Sequence, residues 1–145
     1  MLLKDQRSIR CGESDVDNLT DIGALEALID ATDVVVVFLA GSTLADGTER
    51  SDYMRSHNCL RELRRAVEQK KRLVFVRETD PQHGAVSMAT HRRDCPDDLR
   101  SALDAHPVVP WYRIKAYAQV SLRQIGQVRC ARLERHHDRW VLLSG

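Results

Sequence analysis

Apolar residues along the chain fall into two patterns that alternate. Val34 to Ala40 reads VVVVFLA, a continuous β-branched run closed by Gly41. Apolar on both faces, it predicts a central parallel strand covered on both sides. Before it, Ile22, Leu25 and Ile29 recur at i, i+3 and i+7, with Leu28 widening the stripe and Asp21 as N-cap, which is a helix. After it, residues 59–70 repeat the helical pattern, capped by Ser56 or Asn58. RLVFVRE at 72–78 predicts a second strand, and DDLRSALDA after Pro96 a short helix. PVVPWYRI predicts a third strand at 107–113, pushed to a sheet edge by Pro107 and Pro110. Residues 117–134 predict a last helix, and RSIRC at 7–11 a further short strand. Strands alternating with helices give an α/β fold with a mostly parallel sheet and helices on both faces. Its strands are expected near 7–11, 33–40, 72–78 and 107–113.

The connections carry the remaining information. Residues 12–21 form an acidic, polar loop, and residues 42–57 a long polar connection with a short helical turn. Residues 79–96 are too long for an ordinary connection, which points to function. Ligands of parallel α/β sheets gather at the C-terminal ends of the strands, here the loops after Cys11, Ala40 and Glu78. Residues 129–145 read as a C-terminal tail, of which WVLLS at 140–144 is strand-like.

Composition narrows the classes. A length of 145 residues, 43% of them hydrophobic, suits one domain with a sizeable core. The formal charge of +1 comes from 22 Lys and Arg against 21 Asp and Glu, which argues against a nucleic-acid or anionic-membrane binder. Cys11, Cys59, Cys95 and Cys130 form no CxxC, so zinc knuckles and redox dithiols are unsupported, and scattered thiols suit a reducing cytoplasm. The N-terminus has no secretory pattern, and no apolar run approaches the roughly 20 residues of a membrane span. GxGxxG, the GK[ST] of a P-loop and GxSxG are all absent, and no acidic cluster of receiver type ends a first strand. His136 and His137 beside Asp138 read as an exposed polar tail rather than a metal site, so no metal is expected.

Glu62 is the residue that raises a chemical question. On a helical wheel Leu60, Leu63 and Val67 centre the apolar stripe, Cys59 and Ala66 extend one flank, and Glu62 lies just beyond that flank. It is a boundary position near the positive end of the helix, where a carboxylate is stabilised. Two readings follow: a solvated charge pairing with Arg65, or a carboxylate held where it can act. As a boundary charge, Glu62→Gln is expected to change stability by no more than about 0.5 kcal/mol.

The same stretch carries a resemblance. A VVVVFL-type strand, a loop, and then S-x-x-Y-x-x-S-x-x-C-L-x-E-L resemble the TIR (Toll/interleukin-1 receptor) domain family. The element is read here on Ser51, Tyr53 (one residue early for that spacing), Ser56, Cys59, Leu60, Glu62 and Leu63. Upstream, SDVDNLTDIGALEALIDATD is similar to the family's BB loop and following helix; downstream, LVFVRETDPQHGA and VPWYRI are similar to its later strands. The resemblance spans roughly residues 7–127 and implies a flavodoxin-like, three-layer TIR-type fold over 1–128. The family's opening strand and most of its first helix have no counterpart at the start of this chain, so about four strands are expected.

For function the resemblance implies an intracellular signalling domain of the innate-immune type, working by self-association and contact with other TIR domains. Its enzymatic members imply a second reading, an NAD+ nucleosidase with Glu62 catalytic and Ser56 and Cys59 lining the pocket. NAD+ is then a substrate, and no cofactor is required. As the BB loop does in the family, Asp15, Asp17 and Asp21 are expected to offer an acidic partner surface, with Lys70, Lys71 and Arg72 as its basic counterpart. A family-free alternative is a small flavodoxin-like binding domain.

Overall fold

A computed structural model gives the fold of the chain and describes residues 22–130 and 140–144. Helix α1 (Ile22–Asp30) leads into strand β1 (Val34–Leu39). A hairpin of β2 (Gly41–Thr43) and β3 (Glu49–Ser51) follows, then the one-turn helix α2 (Asp52–Arg55) and the longer α3 (His57–Glu68). Strand β4 (Arg72–Glu78), a 3-10 turn (Pro81–His83), α4 (Met88–Asp94), α5 (Asp97–Ala105), β5 (Val108–Trp111), α6 (Lys115–Cys130) and β6 (Trp140–Ser144) complete the order.

Four described strands form one all-parallel sheet in the order β5-β4-β1-β6. Alternation along β1 explains its two-sided cover. Val35, Val37 and Leu39 join Leu73 and Phe75 in a core with Ile29 of α1, Leu63 and Ala66 of α3 and Leu99 and Leu103 of α5. Val34, Val74, Val76 and Val109 face the other way, packed with Ile125 of α6. With successive side chains on opposite faces, a wholly apolar strand has to be covered twice. The result is a mixed α/β fold with helices on both faces, consistent with a flavodoxin-like architecture. β5 lies at an edge, where its proline breaks no ladder.

The expected strand at 7–11 and the acidic loop at 12–21 lie outside the described residues. The fourth described strand is β6, from the strand-like WVLLS of the tail, with Val36 opposite Leu142 and Val37 opposite Leu143.

Two connections hold more structure than the sequence suggested. Residues 42–57 contain the hairpin, closed by Gly47 at φ 83° and by Asp46 Oδ1 accepting from Thr48 N at 2.9 Å. Residues 79–96 contain α4, capped by Ser87, whose side chain accepts from Thr90 N. The two segments meet where Gly41 N donates to Gly84 O at 2.8 Å. A Cβ on Gly41 would run into the Arg50 carbonyl and Val86, and Gly84 sits at φ 90° against the Gly41 carbonyl. Glycine at 41 and 84 therefore permits this backbone approach at the C-terminal end of β1.

Candidate functional site

Helix α3 begins at Ser56, whose Oγ accepts from Cys59 N at 3.3 Å. Of the two candidate caps, Ser56 serves and Asn58 does not. The cap starts the helix at His57 and sets its buried face as Cys59, Glu62, Leu63 and Ala66. Glu62 thus lies on the core side of the boundary that the wheel assigned to it. Its relative exposure is 4%.

The expected surface partner of Glu62 is engaged elsewhere. Arg65 donates Nε and Nη2 to the carboxylate of Asp30 on α1, at 2.9 and 2.7 Å. Arg61 leans toward Glu26 at 3.6 Å, and Arg64 binds Asp98 on α5 at 2.7 Å. Among the described residues no hydrogen bond or ion pair reaches Glu62. Burial pushes its carboxyl up to about 7, with the charge of Arg61 a smaller opposing influence. The enclosed polar atoms without a partner include His91 Nε2 and Arg100 Nε but neither oxygen of Glu62.

Cys59 and Tyr53 both lie close enough to this carboxyl to feel its charge. Cys59 is fully buried and its thiol is raised, chiefly by burial. Tyr53, from α2, is 1% exposed, and its hydroxyl donates to the Cys59 carbonyl at 3.4 Å. Its own ionisation is pushed far up, first by burial and then by Cys59 and Glu62. Of the residues expected to line a pocket, Cys59 is interior and beside Glu62, while Ser56 is spent on the cap. Glu62 is an enclosed carboxyl, unpartnered among the described residues and raised by burial to about 7. It can stabilise a cation that develops beside it, or accept hydrogen bonds from hydroxyl groups.

A second buried polar group went unforeseen. His91 of α4 is fully buried, and its Nδ1 lies 2.7 Å from Ser51 Oγ. Ser51 N donates to Asp94 Oδ2 at 2.8 Å. Glu49 Oε2 accepts from Ser87 N, Ser87 Oγ and Thr90 Oγ1. Burial, then Arg77, lowers His91 to about 4, so it is neutral. These residues are some 40 positions apart in sequence and follow no periodicity; the cap motif Ser87-x-x-Thr90 was the one local signal.

A third group ends β4. Glu78 is fully buried, with Oε1 accepting from Thr79 N and Asp80 N and Oε2 from Nε and Nη2 of Arg113. Every oxygen is satisfied, and the cluster anchors the β5–α6 connection to the sheet. Of the expected basic counterpart, Lys71 donates to the Asp30 carbonyl at 2.9 Å, and Arg72 opens β4. The acidic surface at 15–21, and His136, His137 and Asp138, lie outside the described residues.

Among the described residues no group of three or more His, Cys, Asp or Glu is placed to hold a metal. None of the described helices is long and apolar enough to cross a membrane. No family model, curated protein or solved structure matches the chain.

Proposed function

We propose that this chain is a TIR-like domain in which Glu62 is the working carboxylate of an NAD+-cleaving site. The observation that carries the reading is the state of Glu62: 4% exposed, close to Cys59 and Tyr53, with no cation paired to it among the described residues. An enclosed carboxylate without a partner is costly to keep. A ligand that brings positive charge to it would offset that cost. NAD+ does so in its nicotinamide ring, and the charge passes to the ribose as the C1′–N bond breaks. The electron pair leaves with nicotinamide, which departs neutral and needs no general acid. Ionised Glu62 stabilises the oxocarbenium-like ribose, and water adds at C1′ with loss of a proton. The test is nicotinamide release from NAD+ at high protein concentration by wild type and by Glu62→Gln.

A separate observation favours self-association. Tyr112 and Ile114 just before α6 and Tyr117 and Val120 in its first turns are exposed, with the rings of Tyr112 and Tyr117 5.8 Å apart. Exposed apolar residues grouped in this way suit contact with a second copy or another TIR domain. Light scattering on wild type and Tyr117→Glu tests it: concentration-dependent association weakened by the substitution supports this reading, and a strict monomer at high concentration overturns it.

A further inference from the structure

We propose that His91 is a positioning residue for the Glu62 site, acting through Ser51 and the one-turn helix α2. The inference rests on the reading of Glu62 as the working carboxylate and adds a residue from the 79–96 connection to that site.

The argument starts at Ser51. It ends β3 and caps α2, its Oγ accepting from Met54 N at 3.3 Å. With that lone pair engaged, the hydroxyl hydrogen has one partner at 2.7 Å, Nδ1 of His91. A hydroxyl that donates there leaves the proton of neutral His91 on Nε2, which is enclosed and has no partner among the described residues. Leaving such a group unmatched is a cost that an apolar side chain would avoid. What the histidine supplies in return is an acceptor that fixes the Ser51 hydroxyl.

Fixing Ser51 fixes the wall of the Glu62 site. Helix α2 and helix α3 share Ser56: its N–H donates to the carbonyls of Asp52 and Tyr53, and its Oγ caps Cys59. Tyr53, in α2, donates to the Cys59 carbonyl and lies near enough to Glu62 to feel its charge. Helix α4 is itself clamped to β3, through Asp94 to Ser51 N and through Arg93 Nη2 to the Glu49 carbonyl at 2.7 Å. His91 is where this clamped helix touches the cap of α2. The charged groups facing His91 are Arg77, Asp94, Glu49 and Asp52.

The test follows the carboxyl carbon of Glu62 by NMR through a pH titration of the full chain, in wild type, His91→Leu, His91→Asn and Ser51→Ala. Asn places an acceptor near the position of Nδ1; Leu keeps bulk without it. The expected result is a midpoint near 7 in wild type and His91→Asn, falling toward the ordinary carboxylate range by about one pH unit in His91→Leu and Ser51→Ala as water reaches Glu62. A midpoint unchanged in folded His91→Leu or Ser51→Ala overturns the proposal, as does an equal fall in His91→Asn. Should the Leu and Ala variants fail to fold, native-state hydrogen exchange on wild type decides. The amides of Met54 and Cys59 are expected to open together with that of His91, and independent opening overturns the proposal. None of these readouts depends on NAD+ cleavage, so failure of the positioning role and failure of the enzymatic reading are distinguishable.

Discussion

Arg65 and Asp30 form a two-point ion pair, 2.9 and 2.7 Å, that joins α3 to α1. Arg65 stands three positions after Glu62 and is the cation a helix would offer it. Turning to Asp30 instead, it leaves Glu62 enclosed and, among the described residues, unpaired. The pair itself is exposed and contributes little to stability; its importance lies in what it withholds from Glu62.

Burial reverses the expectation that Glu62→Gln is neutral for stability. Folded, Glu62 holds its proton up to about pH 7; unfolded, it releases it near 4.5. Between those values the folded chain binds the extra proton, so stability falls as pH rises through the window and stays low above it. Glutamine carries no charge and escapes the penalty. Glu62→Gln is therefore expected to be more stable than wild type at pH 8 by on the order of 1–2 kcal/mol, and equal to it near pH 4. Urea denaturation at the two pH values checks this.

His91 works in the opposite direction. It binds a proton near 6.5 when unfolded and near 4 when folded, so the unfolded chain holds more protons between those values and stability is lost as pH falls from about 6.5 to about 4. From about 4.5 to 6.5 the Glu62 and His91 slopes oppose each other. Removing Glu62 unmasks His91: Glu62→Gln should gain stability with pH across that window more steeply than wild type. Parallel curves for the two proteins would contradict the assignment.

The glycines at 47 and 84 separate conformation from crowding. Both have positive φ, but a Cβ at 47 meets nothing within 4 Å whereas one at 84 meets the Gly41 carbonyl. Gly47→Ala should cost about 1 kcal/mol and Gly84→Ala more than about 3 kcal/mol, as it adds a clash to the strain. Equal costs in thermal unfolding would mean that the two segments do not meet at the end of β1.

Much of this architecture was legible because it rests on local pattern. The β-branched runs of β1 and β4 have no other way to bury both faces, and Ser56 announces the start of α3. The hairpin was missed because its strands, GST and ERS, are short and polar; Asp46-Gly47 was the available signal. Glu62 was placed by angle to within one position of the core, but a wheel knows nothing of α2, whose buried Tyr53 lies near it. The His91–Ser51 contact lay beyond reach, since it depends on α4 packing against a hairpin that the polar pattern did not reveal. The strand-like reading of WVLLS was correct, with the gap left by an absent first strand as one place open to it, and the structure sets it beside β1.

The most direct measurement is the rate of nicotinamide release from NAD+ as a function of pH, at high protein concentration, for wild type and Glu62→Gln. The account predicts release by wild type that rises as Glu62 ionises, with an apparent midpoint about 7. It predicts a loss on the order of 10²-fold or more in the glutamine variant, which remains folded. Release by Glu62→Gln at the wild-type rate, or none from wild type at any pH, would contradict it.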